Sequence, residues 1–144
     1  MAASRGRMRT ESDSMGPMKV PAQVLYGAST QRAVLNFPIS GRPVCWEIIS
    51  AYARLKRAAA SVNRDLKKLD ARRAKLIINA CTEILDALES PEHRASMMAN
   101  FPVDVYQTGS GTSTNMNVNE VVSNMACKAA GKGIGAQDPV HPND

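Results

Sequence analysis

The sequence predicts a mainly α-helical domain that carries a short extended or hairpin segment near its N-terminus. Two long segments, beginning at Trp46 and Ala71, repeat apolar residues at helical spacing. Clusters of proline and glycine separate these segments from the rest of the chain. The 144 residues are 44% hydrophobic and 22% charged, which is sufficient for one ordinary core and excludes a wholly disordered chain.

The N-terminal part of the chain is predicted in two pieces. Residues 1–14 are polar and charged without a period, which indicates a flexible arm, and residues 15–144 form the domain. The stretch from Val20 to Gly27 is apolar but is interrupted by Pro21, which favours an edge strand or a small hairpin over a helix. Three glycine or proline residues within the nine positions 36–44 predict a loop.

Two long helices are predicted after this loop. The first begins at Trp46 and ends near Asp65, and one apolar stripe along it is predicted to pack against neighbouring elements. That stripe consists of Ile48, Tyr52, Leu55, Ala59 and Val62. The second helix covers about residues 71–88, with Asp70 as its N-cap. Its stripe consists of Ile77, Cys81, Ile84 and Leu88, broadened by Ala74, Ile78 and Leu85.

Two shorter helices complete the prediction. Ser90 and Pro91 have the character of an N-cap and a first helical residue, which predicts a helix from there to about Met98. A final helix is predicted from about Asn117 to Ala130, where glycines follow. The remaining tail contains two prolines and is predicted to be a loop.

The most informative feature is the polar run that precedes the last helix. It combines two glycines with nine short hydroxyl or amide side chains within thirteen positions. The nine are Gln107, Thr108, Ser110, Thr112, Ser113, Thr114, Asn115, Asn117 and Asn119. A helix N-terminus presents unpaired N–H groups and a positive dipole end, so this run suits a carboxylate or a phosphate. Polar capping loops use the same residue types, so from chemistry alone both interpretations remain open.

A basic segment runs from Arg54 to Lys75. It contains nine Lys or Arg against two Asp, a net charge of +7. A basic nucleic-acid-binding module is therefore one hypothesis. However, no nucleic-acid motif accompanies the charge, and aromatic residues make up only 4% of the chain, which leaves few rings for base stacking. A solvated face or a subunit contact is therefore preferred over a nucleic-acid partner.

Other features exclude whole classes of protein. The three cysteines are far apart and include no Cys-x-x-Cys pair, which argues against a disulfide framework and against a metal site. No run of 18 apolar residues occurs, so no membrane association is predicted. The first residues lack the apolar stretch of a secretory signal, which favours the cytoplasm. Arginines and serines near the N-terminus keep the mitochondrion as the alternative.

The segment from Phe101 to Val121, FPVDVYQTGSGTSTNMNVNEV, resembles the first signature region of the class II fumarase and aspartase superfamily. Segments nearer the N-terminus, including Tyr26-Gly27-Ala28 and the run from Asn36 to Ser40, resemble the opening of those enzymes in the same order. The final four residues, His141-Pro142-Asn143-Asp144, resemble fumarases, since aspartases tend to have Asn-Pro-Asn-Asp there. The resemblance therefore favours fumarase and extends over nearly the whole chain after residue 10.

What the resemblance implies is the N-terminal domain of a fumarase/aspartase-like lyase. Such an enzyme reversibly hydrates fumarate to L-malate in the tricarboxylic acid cycle, without a cofactor and as a homotetramer. The implied substrate-binding residues are Ser110, Gly111 and Thr112 in one loop and His141, Pro142, Asn143 and Asp144 in a second dicarboxylate site, with Ser113, Thr114 and Asn115 as further loop residues. Aspartate ammonia-lyase, or another fumarate-releasing lyase, is the alternative within the superfamily.

The family's acid and base are expected to lie outside these 144 residues. Family members continue into a Ser-Ser-Asn-Asp segment, a Thr-His pair with a catalytic histidine, and a flexible loop with a serine base. The sequence contains none of these, so no catalytic residue is predicted in it. Since catalysis requires positioned proton-transfer groups, the isolated chain is expected to lack hydratase activity.

Overall fold

The computed structural model describes residues 6–144 and confirms the mainly helical fold with a hairpin near the N-terminus. The hairpin pairs β1 (Met8–Asp13) with β2 (Gly16–Pro21). Five helices follow: α1 (Ala28–Asn36), α2 (Trp46–Asp65), α3 (Ala71–Glu89), α4 (Pro91–Met98) and α5 (Thr112–Ala129). None of these helices is long and apolar enough to cross a membrane.

The first strand of the hairpin lies within the segment predicted to be a flexible arm. β1 and β2 are antiparallel, with Met8 opposite Pro21 and Asp13 opposite Gly16. The prediction of an arm over residues 1–14 is therefore wrong from Met8 onward, and residues 1–5 lie outside the described part of the chain. β1 was not predicted because its inward-facing side chains are charged rather than apolar.

Those inward charges are paired or hydrogen-bonded within the fold, and Arg9 and Glu11 form an ion pair along the strand. The guanidinium group of Arg9 donates to the main-chain carbonyls of Val24 and Tyr26 at 2.8 and 2.6 Å. The carboxylate of Asp13 accepts from the guanidinium of Arg32 on α1 at 2.8 Å. A buried charge is tolerated when it is paired. Alternate residues of β1 therefore face the interior although they are charged, whereas in most strands the inward-facing residues are apolar.

α1 has no counterpart in the sequence prediction. Its N-cap is Gly27, which has no side chain to accept a hydrogen bond. Instead, the carboxylate of Glu120 on α5 accepts from the backbone N–H groups of Gly27, Ser29 and Thr30 at 2.9, 2.8 and 3.0 Å. A helix start that is capped from another helix far along the chain carries no local signal.

The long helices α2 and α3 form at the predicted positions, but only α3 buries the predicted face. Its stripe from Ile77 to Leu88 is buried, and Asp70 caps it by accepting from the N–H of Arg73 at 2.9 Å. α2 instead buries Ile49, Ser50, Ala53 and Ala60. The predicted packing of Ile48, Leu55 and Val62 is wrong, since these side chains are exposed. α2 packs against α3, and its two buried alanines belong to the same core cluster as the apolar stripe of α3.

α5 is the most buried element and positions the regions that matter for function. It begins at Thr112, five residues before the predicted start, and eleven of its residues are buried, Val118 and Val121 among them. It packs against α1, α2 and α3. The tail after α5 folds back on it, because the Ser123 hydroxyl donates to the carbonyl of Val140 at 2.7 Å. The loop before α5 and the end of the tail are thus both held against one helix.

Candidate functional site

The loop before α5 is organised by the side chain of Gln107. Its Oε1 accepts from the backbone N–H of Thr114 at 2.8 Å, and its Nε2 donates to the Thr114 hydroxyl. Gly111 is the N-cap of α5 and has a φ of 70°, a left-handed conformation that favours glycine. These constraints bring the exposed side chains of Ser110 and Thr112 together, with 2.9 Å between Oγ and Oγ1.

This geometry presents hydrogen-bond donors to solvent. Thr112 and Ser113 are the first two residues of α5, and helices leave the N–H groups of such residues without an intrahelical acceptor. The hydroxyls of Ser110 and Thr112 lie beside them. Donors grouped at the positive end of a helix suit an anion such as a carboxylate. Thr114, by contrast, is buried and engaged by Gln107, so it shapes the loop.

α2 supports the loop from behind with two side chains one turn apart. The Tyr52 hydroxyl lies 3.8 Å from the position that a Cβ on Gly111 would occupy. The Lys56 Nζ donates to the Asn115 Oδ1 at 2.8 Å and lies 5.8 Å from the centroid of the Tyr52 ring. Burial lowers the pKa of Lys56, an effect that the nearby Cys81 thiol partly opposes. Asn115 therefore reaches α2 rather than solvent.

The four tail residues come together as a compact turn. The backbone N–H of His141 donates to the Asp144 carboxylate at 2.8 Å, and the N–H of Asp144 donates to the His141 carbonyl at 3.0 Å. The N–H of Asn143 donates to His141 Nδ1 at 3.1 Å, which places the proton of a neutral ring on Nε2. Pro142 completes the turn, and Arg73 Nη1 lies 3.9 Å from the Asp144 carboxylate.

The turn separates two cavities. One, of about 200 Å³, lies beside α2 and α5, has Lys56, Asn63 and Asn119 in its wall, and has an apolar floor that includes Ile77 and Val140. The other, of about 380 Å³, lies beside the hairpin and α1. The first is smaller than the roughly 300–1,000 Å³ typical of drug-sized ligands. Its volume and its mixture of polar wall and apolar floor suit a small organic acid.

The two predicted groups of site residues are neighbours along α5 rather than one cluster. In the described part of the chain no hydrogen bond joins the loop 110–112 to the turn 141–144. They are connected through Lys56, which binds Asn115 and lines the cavity beside the turn. Asn119, which also lines that cavity, is four residues further along α5, about 6 Å.

A pair of buried carboxylates lies on the other side of α5. Desolvation raises the pKa of Glu11, although Arg9 opposes the increase, and the charge of Glu120 adds to it. Both carboxylates lie against Gly27, where an added Cβ would come within 3.0 Å of each side chain. Glu11 is engaged by Arg9 and Glu120 by the start of α1, so both anchor the fold. Across residues 6–144, no group of three or more His, Cys, Asp or Glu is placed to hold a metal ion.

The residues that sequence reasoning missed are on α2. Lys56 was assigned to a solvated basic face, yet it is half-buried beside the site. A signal for it exists, because Lys56 and Asn63 are seven residues apart and therefore lie on one face of the helix. The apolar stripe of the same helix and the run of neighbouring cations obscured that pattern.

Comparison with known proteins identifies the family to which the chain belongs. The lyase family model matches residues 16–144. A class II fumarate hydratase from Prochlorococcus marinus (strain MIT 9313) is 50% identical over 137 residues, which cover 95% of this chain and 28% of that protein. The class II fumarate hydratase of Halobacterium salinarum (strain ATCC 700922 / JCM 11081 / NRC-1) is 49% identical over 136 residues, which cover 94% of this chain and 27% of that protein.

The fold is also similar to a solved enzyme structure. The crystal structure of the recombinant class II fumarase from Schistosoma mansoni matches with a TM-score of 0.84 and 36% sequence identity, over 95% of this chain and 27% of that one. The chain thus spans less than a third of the length of the relatives it matches. The chain belongs to the lyase family, and the relatives it matches within that family are class II fumarate hydratases.

Proposed function

We propose that this chain carries the N-terminal, dicarboxylate-binding part of a class II fumarate hydratase, with fumarate and L-malate as its ligands. The observation that carries the proposal is the donor group formed by Ser110, Gly111 and Thr112 at the start of α5. Gln107 holds this group in place through two hydrogen bonds to Thr114. A preformed set of donors binds a carboxylate without the cost of ordering a loop.

The same donors fit the chemistry of the reaction. Hydration of fumarate proceeds through an anion in which charge develops on a carboxylate next to the reacting carbon. Donors fixed around that carboxylate stabilise the developing charge because they need no reorganisation during the reaction. In this proposal Ser110 and Thr112 supply such donors, and the turn 141–144 forms a second dicarboxylate subsite.

Turnover requires an acid and a base that we propose lie elsewhere in a longer polypeptide. The chain spans only 27–28% of its fumarate hydratase relatives, and the resemblance assigns the proton-transfer groups to later segments. Without positioned groups most of the catalytic advantage is lost. The 144-residue chain is therefore proposed to bind dicarboxylates but not to interconvert them.

Nuclear magnetic resonance titration of the 144-residue chain with fumarate and L-malate tests the binding proposal. We expect the backbone amides of residues 110–115 to shift, and the shifts to be lost in the double variant Ser110→Ala, Thr112→Val. Ser96→Ala, an exposed hydroxyl on α4, is the matched control. Equal binding by the double variant would contradict the site, and tighter binding of L-aspartate than of L-malate would favour an ammonia-lyase.

Loss of fumarate absorbance tests the proposal on turnover. The purified chain is expected to leave fumarate unchanged, whereas a full-length relative serves as the positive control. Formation of L-malate by the chain contradicts the assignment of the acid and base to another part of the polypeptide.

Assembly and location follow the family in this proposal. We propose a homotetramer for the longer polypeptide, a role in the tricarboxylic acid cycle and a place in the cytoplasm, with the mitochondrion as the alternative. Light scattering measures the mass of the particle, and cell fractionation measures its location. A monomeric full-length protein would contradict the assembly part.

A further inference from the structure

We infer that Lys56 is a positioning residue of the dicarboxylate site: it fixes Asn115 on the first turn of α5 and supplies positive charge to the cavity beside the turn 141–144. The inference rests on the proposed function, because it deepens the description of that same site. It is carried by the placement of the Lys56 ammonium group between the two segments that the site uses.

Of the four cations of α2, only Lys56 lines the cavity beside the turn 141–144. Arg54 and Arg64 are exposed and form ion pairs with Glu89 and Asp65 at 2.8 and 2.9 Å. Lys56 is half-buried, and none of the ion pairs within residues 6–144 includes it. Its hydrogen-bond acceptor is the neutral side-chain amide of Asn115. Arg57 is also half-buried and outside the ion pairs of residues 6–144, but its guanidinium lies 3.5 Å from the Thr82 hydroxyl on α3.

A partly desolvated ammonium without a counter-charge is costly, and an anionic ligand offsets that cost. The lowered pKa of Lys56 reflects the same desolvation. Since the Lys56 side chain lines the cavity of about 200 Å³, a small carboxylate bound there would lie close to its positive charge.

The rest of the cavity wall agrees with a small organic acid. Asn63, Asn119 and Asn143 provide amide donors, and Val122 and Val140 provide an apolar floor for a short carbon chain. The wall also includes the Asp144 carboxylate, which is engaged by the N–H of His141. The cavity wall thus contains more hydrogen-bond donors and positive charge than unpaired acceptor oxygens, which would repel an anion.

The hydrogen bond to Asn115 gives Lys56 its positioning role. Asn115 is three residues after Thr112 on the first turn of α5, and its backbone N–H donates to the carbonyl of Gly111 at 3.2 Å. Holding its side chain toward α2 fixes the first turn of α5 relative to α2. Removal of the ammonium group is therefore expected to alter the loop 110–112 even before ligand binds.

The test compares the wild-type chain with Lys56→Met, Lys56→Arg and Lys75→Met by nuclear magnetic resonance. Lys75 is exposed on α3, so its replacement removes the same charge away from the site. We expect Lys56→Met to weaken L-malate binding about tenfold, the loss of one charge-assisted hydrogen bond. Lys56→Arg and Lys75→Met are expected to retain binding.

Two further readouts separate positioning from general stability. In the ligand-free chain the Asn115 side-chain amide resonance is expected to move in Lys56→Met but not in Lys75→Met. In the wild type, saturation with L-malate is expected to raise the pKa of Lys56 as measured from its own side-chain resonance. Circular dichroism verifies that every variant is folded.

The outcomes distinguish this inference from the proposed function. If the wild type and Lys56→Met bind L-malate equally, with shifts at residues 110–115, the inference is overturned and the proposed function stands. If the wild type binds neither L-malate nor fumarate, the proposed function fails, and the Asn115 resonance then decides the positioning role. An Asn115 resonance that is unchanged in Lys56→Met overturns that role.

Discussion

α5 and α2 use side-chain polarity in opposite ways. α5 buries Asn117, Glu120, Ser123 and Asn124, all of them polar, in the interior of the domain. α2 exposes Ile48, Leu55 and Val62. From hydropathy alone, the polar side chains of α5 would be expected on the surface and the apolar side chains of α2 in the interior.

The difference lies in hydrogen bonding. Each of these four side chains of α5 binds the backbone of another segment: Glu120 accepts from the start of α1, Asn117 donates to the carbonyl of Asn100 at 2.8 Å, Ser123 to that of Val140 at 2.7 Å, and Asn124 to that of Leu25 at 2.8 Å. Buried polar groups are tolerated when they are satisfied in this way. α5 therefore connects the loops and the tail, while the exposed face of α2 contributes nothing to the core of this chain.

The largest effect is expected from removal of the Glu120 carboxylate. Glu120→Ala leaves three backbone N–H groups at the start of α1 without their acceptor. The free energy of unfolding is expected to fall by about 3 kcal/mol or more, because orphaned buried donors lose both the bond and their hydration.

Urea denaturation measures this change. Glu83→Ala, which removes an exposed carboxylate from α3, is the control and is expected to change stability by less than about 0.5 kcal/mol. An equal loss of unfolding free energy in the two variants would show that Glu120 does not stabilise the start of α1.

Asp104, a buried acid between α4 and α5, allows the effect of hydrogen bonding on a buried polar group to be tested by pH. Hydrogen bonds from the N–H groups of Tyr106, Ser40 and Gly41 hold the pKa of this carboxyl at about 2, below the usual 3.8, although desolvation opposes them. A carboxyl whose pKa is lower in the folded state stabilises the fold above its unfolded pKa. That contribution is lost as pH falls from about 4 through 2.

Asp104→Asn is therefore expected to lower stability at pH 7 and to flatten the dependence of stability on pH between about 4 and 2. Thermal melts across this range measure both. Asp86→Asn, which changes an exposed acid on α3, is the matched control. A pH profile that Asp104→Asn leaves unaltered contradicts the assignment.

Thr30 tests the rule that links burial to hydrogen bonding. Its hydroxyl is fully buried and has no hydrogen-bond partner among the residues that the structure describes. Thr30→Val keeps the shape and removes the unsatisfied oxygen, so stability is expected to stay unchanged or to rise by up to about 1 kcal/mol. The contrasting variant is Ser123→Ala, which is expected to lose about 1 kcal/mol since its hydroxyl is bonded. A marked loss in Thr30→Val indicates a partner for the hydroxyl.

The smallest effect is expected on the exposed face of α2. Leu55 is 64% exposed, so Leu55→Ala is expected to change the free energy of unfolding by less than about 0.5 kcal/mol. Ile49→Ala on the buried face of the same helix is expected to cost about 2–5 kcal/mol. Equal losses for the two variants would mean that the exposed face is covered in solution.

The sequence by itself determined the elements whose signals are local. α3 follows the capping residue Asp70 and has a periodic apolar face, and α4 begins with Pro91 after Ser90, so their bounds were predicted to within one residue and the buried face of α3 correctly. The polar run before α5 also predicted a helix N-terminus rich in donors, although the helix begins earlier than expected.

Only the tertiary structure decided the features whose partners are distant in the chain. The charges of β1 are buried against Tyr26 and Arg32, α1 is capped by Glu120, and Lys56 meets Asn115. α2 is apolar on two faces, so its periodicity could not reveal which one α3 would cover. The physical reason is the same in each case, because a side chain's burial depends on the partner that satisfies it, and that partner is not encoded in the neighbouring residues.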